Sequence, residues 1–228
     1  MKLTPGAEAR IGQAIAAAET RTSGEIFCVM SRQVSSYRNV SLAWAAAAAL
    51  LLPLALIPLG FDPGWIPGFT NGWEAAHLAA QELSIGHALT AYALIQAAVF
   101  VVVLMLTSLP GVRPLVTPRS VRRARVRKAA MEQFLAHGLH VTENRTGVLI
   151  FAAIADHQVE IVADEGIHGK VDQAIWGDAV EALAQGLKRN DPAGGFEAAI
   201  AICGDVLAEH FPPSPRDRNE LADRLVII

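Results

Sequence analysis

Asn39–Asp62, NVSLAWAAAAALLLPLALIPLGFD, decides how the rest of the chain is read. From Asn39 to Phe61 it contains no Asp, Glu, Lys, Arg or His. About 20 such residues, each rising about 1.5 Å, cover a hydrocarbon core of roughly 30 Å. The prolines at 53 and 58 would break a helix in water, but a membrane helix accommodates them with a kink. Shortly before it stands SGEIFCVMSRQ (Ser23–Gln33), which reads as a buried strand of a water-soluble domain. A lipid-soluble segment therefore interrupts a domain that has only begun.

A second segment of this kind covers 84–112, again without a carboxylate, Lys or Arg. Two buried core helices of that composition would need more surrounding protein than the remaining residues supply, so both read as spans. The composition agrees. The chain is 52% hydrophobic and 18% charged, with a mean hydropathy of +0.33, which places part of it outside water. The first twenty residues carry acidic groups and helical periodicity, so no secretory leader is expected there.

Orientation follows from the basic residues. The connecting loop, 62–82, holds Asp62, Glu74 and Glu82 but no Lys or Arg, whereas Arg32 and Arg38 precede the first span and seven basic residues from Arg113 to Lys128 follow the second. Both flanks are expected in the cytoplasm and the loop outside it. Trp44, Trp65, Phe69 and Trp73 suit anchoring at the membrane interface. With a net charge of −3 and a span so close by, the basic run RSVRRARVRK is assigned to topology and to anionic lipid around Arg113–Lys128, and no nucleic acid is expected.

Outside the spans the periodicities alternate. Thr4 and Pro5 open a helix with Ile11, Ala14, Ile15 and Ala18 on one face. The run EIFCVMS is a strand covered on both sides. Beyond the second span come a helix closing at Gly138 with an apolar end (Met131, Phe134, Leu135), then the strands GVLIFAAI and QVEIVAD joined by a turn at Asp156-His157. Two amphipathic helices follow, one with Val171, Ile175, Trp176, Val180, Leu183 and Leu187 on a side, the other with Phe196, Ile200, Cys203, Leu207 and Phe211. Cys28 and Cys203 read as core thiols. The expected fold is an α/β sandwich split by a two-helix transmembrane hairpin. Its domain occupies 1–36 and 115–211, its spans 39–61 and 84–112, and a tail that docks weakly or frays follows at 212–228.

The run Thr142–Gly147, the strand Val148–Ile154, the turn at Asp156 and the strand Val159–Ala163 resemble the central segment of the TPM domain family, and SGEIFCVMS resembles its first strand. The resemblance implies a small α/β sandwich, in a membrane-embedded bacterial member that would lie in the inner membrane with both termini cytoplasmic. Family members are described as membrane-tethered accessory proteins, as divalent-cation binders and as acid-phosphatase-like factors. In place of the family's frequent glycine-rich turn after the third strand, this chain has Asp164-Glu165-Gly166-Ile167-His168-Gly169.

Asp156, Asp164, Glu165 and His168 are the candidate ligands for Ca²⁺ or another divalent cation, because carboxylate oxygens suit hard ions and an imidazole widens the choice. The two acids flank QVEIVAD, so a single site is not expected, and Asp164 and Glu165 also suit the start of a helix. His137 and His140 read as exposed residues at a helix end. No nucleophile–base arrangement or phosphate loop is present; DPAGGFE lacks the Lys and Ser/Thr that such a loop requires. The small residues of AWAAAAAL and the amide of Gln96 favour helix association, with another membrane protein or a second copy. The expected function is a non-catalytic accessory role, with a cation-dependent phosphohydrolase as the alternative.

Overall fold

The computed structural model describes residues 3–56, 58, 79–171, 175–213 and 218–228. Asp62, Trp65, Phe69, Trp73 and Glu74 of the connecting loop, and Asp172, lie outside the described residues. The chain divides into two compact units, Met1–Ser36 with Arg119–Ile228, and Tyr37–Pro118.

The first unit is a mixed α/β layer structure. Helix α1 (Pro5–Glu19) starts where Thr4 Oγ1 accepts a hydrogen bond from Ala7 N–H at 3.3 Å and Pro5 fills the first turn. Strand β1 (Glu25–Ser31) is buried along its whole length, as is β2 (Gly147–Ala153). They run parallel, in register from Glu25 opposite Gly147 to Ser31 opposite Ala153. Strand β3 (Gln158–Ala163) returns antiparallel to β2 through a turn in which His157 takes a positive φ of 49°.

Alternate residues of the central strands feed two cores, as the two-residue period of a strand requires. Ile26, Cys28, Met30, Val148 and Ile150 pack with α1, α7 (Ile175–Lys188) and α8 (Pro192–His210). Phe27, Val29, Leu149 and Phe151 pack under helix α5 (Arg119–Ala136), which contributes Val126, Ala130 and Phe134. Helices α7 and α8 cross closely, since a Cβ on Gly195 would come 3.1 Å from the Cα of Gly186. Asp191 caps α8 by accepting from Gly194 N–H at 3.0 Å, so the glycines of DPAGGFE serve a turn into that helix.

Three details depart from the periodicity. Met131 and Leu135 of α5 are exposed, and burial passes to Val126 and Ala130, two turns and one turn before Phe134 on the same face. Ile175 is also exposed, and the buried stripe of α7 is Trp176, Ala179, Leu183 and Gly186. The anticipated tail ends in a strand: β4 (Leu225–Ile227) pairs parallel with β1, placing Cys28 opposite Leu225, and the sheet order is β3-β2-β1-β4. The buried carboxylate of Glu25 holds the approach to β4 by accepting from Glu220 N–H at 3.1 Å and Leu221 N–H at 3.3 Å.

The second unit contains α2 (Arg38–Leu56), α3 (Ala79–Ser108) and the short α4 (Arg113–Val116). Residues 79–82, read from sequence as loop, belong to α3. Ala45 and Ala49 of α2 and Ala91 of α3 are buried, so the small side chains do permit close approach of the two helices. Ser41 Oγ donates to Thr107 O at 3.2 Å, and Trp44 Nε1–H donates to Val116 O at 3.0 Å. Helices α2 and α3 are long and apolar enough to cross a membrane, with mean hydropathies of 1.4 over Arg38–Ala55 and 2.4 over Leu89–Ser108.

Candidate functional site

The four residues nominated from sequence are separated by β3. Asp156 is buried in the turn before the strand, and Asp164, Glu165 and His168 follow its other end, a span of roughly 20 Å at 3.3 Å per residue. Each of the latter three has a local task. Asp164 caps the single turn α6 (Glu165–His168), its Oδ1 accepting from Glu165 N–H at 2.7 Å. Glu165 pairs with Arg145 at 2.7 Å on the surface, where such a contact contributes little. His168 Nδ1 lies 3.2 Å from the carbonyl oxygen of Asp164. Among the described residues no three His, Cys, Asp or Glu side chains gather in a way that could hold a metal ion. The nominated set therefore does not fit a divalent cation as one site.

The cysteines offer no nucleophile. Both are fully buried and free, and burial pushes the Cys203 thiol up to about 12 and holds Cys28 well above its ordinary value. His137 and His140 are half-buried rather than exposed. The ring of His137 lies against Phe27 with centroids 4.5 Å apart, and its pKa is lowered by burial and then by Arg224.

The feature that sequence reasoning missed is a groove of about 870 Å³ along β3, walled by α5 and α7. The β3 part of its lining alternates apolar Val159, Ile161 and Ala163 with Gln158, Glu160 and Val162, and exposed Met131 of α5 and buried Trp176 of α7 line its two sides. Arg123 and Arg127 line the α5 wall. Arg127 pairs with Glu160 at 2.8 Å, and no other acid is among the described lining residues. The basic run thus serves the domain in part: Arg125 also donates to Ser35 Oγ, and Lys128 faces Glu132 at 3.8 Å.

Because β3 is the last strand of the sheet, half of its backbone groups face outward. Asp164 N–H donates to Gly147 O at 2.9 Å, closing a bonded pair at the end of the β2–β3 ladder. Bonded and non-bonded pairs alternate in an antiparallel ladder, so Gln158, Glu160 and Val162 turn their N–H and C=O toward β2. Val159, Ile161 and Ala163 turn theirs to the open edge.

A TPM domain matches residues 85–206, more than half of the chain, from α3 through the β2–β3 hairpin and into α8. The chain belongs to the TPM domain family. No curated protein matches it. Among solved structures, the NMR structure of the BA42 protein from the psychrophilic bacterium Bizionia argentinensis is similar, with a TM-score of 0.56 and 19% identity over 100% of this chain and 97% of that one. At that identity the likeness is one of fold. The TPM match begins inside the second apolar helix, so the segment recognised as family includes residues of both units.

Proposed function

We propose that this chain is an integral membrane accessory protein that presents its TPM domain to other proteins without catalysing a reaction. One observation carries the membrane half of the reading: only 6% of Leu89–Ser108 is buried, although this is the more apolar helix window. A core helix of a water-soluble protein would be mostly covered. Here Leu94, Val101, Val102, Met105 and Leu106 present a continuous apolar surface that matches lipid. The distribution of Lys and Arg supports an inner-membrane topology with both termini in the cytoplasm.

The non-catalytic half rests on how the candidate groups are used. Asp164 caps a turn, Glu165 is tied to Arg145, and the thiols are buried and held neutral. The phosphohydrolase alternative has less support for the same reason. Membrane insertion is tested by alkaline extraction and by reporter fusions at both ends. Retention in the membrane with both reporters cytoplasmic is expected, and release into the aqueous phase overturns it. Hydrolysis of a phosphomonoester by purified protein, lost in Asp164→Ala, would refute the non-catalytic reading.

A further inference from the structure

We infer that the groove along β3 binds an extended acidic peptide segment by adding it as a further strand to the sheet. This deepens the accessory reading and rests on it, by naming the chemistry of the partner.

Backbone, shape and charge each point to such an occupant. The outward N–H and C=O groups of Val159, Ile161 and Ala163 form the ladder that an incoming strand requires, and strand addition draws its affinity from such main-chain bonds. The side chains of the same residues pack toward the core shared with α7 and α8, with Trp176 on that side of the groove and Met131 on the α5 side, so apolar side chains of the guest find cover. Gly177 on the α7 wall leaves room for close approach, since a Cβ built there meets nothing within 4 Å.

Charge selects the class of guest. Arg123 and Arg127 line the groove, and among the described lining residues the one acid is Glu160, already paired with Arg127, so the described lining carries an excess of positive charge in a chain of net charge −3. A carboxylate on the guest would meet Arg123. A second copy of this chain is the poorer guest, because joining two β3 edges would bring Arg123 and Arg127 of one copy toward those of the other.

The test uses the detergent-solubilised full chain and fluorescein-labelled hexapeptides, read by fluorescence anisotropy. A peptide of alternating Glu and Val is expected to bind at least about tenfold more tightly than its Lys and Val counterpart, with the preference reduced by salt and reversed in Arg123→Glu. Methylating the peptide's backbone amides, which leaves the protein untouched, is expected to weaken binding by about tenfold or more through loss of ladder bonds. Gly177→Leu, which fills open space on the wall, is expected to weaken it as well.

Equal binding of the two charge types, or indifference to amide methylation, overturns the proposal. So does crosslinking of Val159→Cys protein to a second copy by a bismaleimide, which alkylates both thiols, if the acidic peptide added beforehand fails to prevent it. Recovery of native membrane partners by the Arg123→Glu protein at wild-type level would refute the groove while leaving the accessory reading intact. Absence of any stable partner, with the acidic peptide still bound, would refute the accessory reading alone.

Discussion

The guanidinium of Arg127 on α5 lies 2.8 Å from the carboxylate of Glu160 on β3, and the two sit very differently toward water: Arg127 is 63% exposed and Glu160 12%. Removing either partner should not cost the same. Arg127→Met leaves a mostly buried carboxylate without its partner, whereas Glu160→Gln leaves an arginine that water solvates. We expect the first to destabilise the domain by about 1–3 kcal/mol and the second by less than about 1 kcal/mol, compared by urea denaturation.

Glu19 gives the fold a pH dependence opposite to that of most carboxylates. Its Oε1 accepts from Ile26 N–H at 2.9 Å, while Oε2 is buried with no hydrogen-bond partner. Burial, followed by the negative fields of Glu25 and Asp223, raises its pKa from 4.5 to about 8. Between those values the folded chain keeps a proton that the unfolded chain has released. Its contribution is therefore fully present below about pH 4.5 and declines as pH rises toward 8. Glu19→Gln is expected to flatten this part of the stability profile and to raise the melting temperature at pH 8 relative to the parent. A mutant curve parallel to the parent's between pH 5 and 8 would refute the assignment.

Strand β4 should be part of the folding unit rather than an appendage. Deleting residues 225–228 removes the pairing of Leu225–Ile227 with β1, exposes an edge of a strand that is otherwise buried, and uncovers Cys28 and Met30. The expected loss is on the order of 2–4 kcal/mol, from the apolar area of Leu225 and its neighbours together with the lost ladder. Hydrogen exchange at the β1 amides provides the check, with protection falling in the truncated chain.

Placing a charge in the middle of α3 tests lipid contact directly. Val101 is half-exposed within Leu89–Ser108, and Val101→Arg should oppose insertion by about 2.5–3.5 kcal/mol. A reduced membrane fraction in fractionated cells is the expected result, with Val101→Leu as the control. Equal membrane fractions for the Arg and Leu variants would count against a span at this position.

What could be read from the chain was whatever depends on near neighbours. The unbroken apolar runs EIFCVMS and GVLIFAA declared strands covered on both faces, and both are buried throughout. The Thr4-Pro5 start of α1, the hairpin at Asp156-His157 and the glycine after α5 rely on backbone preferences set within a few residues, and each appears where those preferences put it. The cap at Asp164 is of the same kind, which is why that acid could be weighed as a structural residue before any fold was known.

Only the tertiary structure decided which apolar residues stay uncovered and which short segments find a partner. The LVI of β4 is too brief to announce itself and becomes a strand because β1, nearly two hundred residues earlier, has an open edge. Met131 has the character of a core residue yet stands exposed on a wall of the groove, because α5 buries the turns before it and the sheet ends at β3. Edges, grooves and the placing of Arg123 and Arg127 beside the open edge of β3 arise from packing between distant segments. Local periodicity specifies which face of an element is apolar, but not whether another element arrives to cover it.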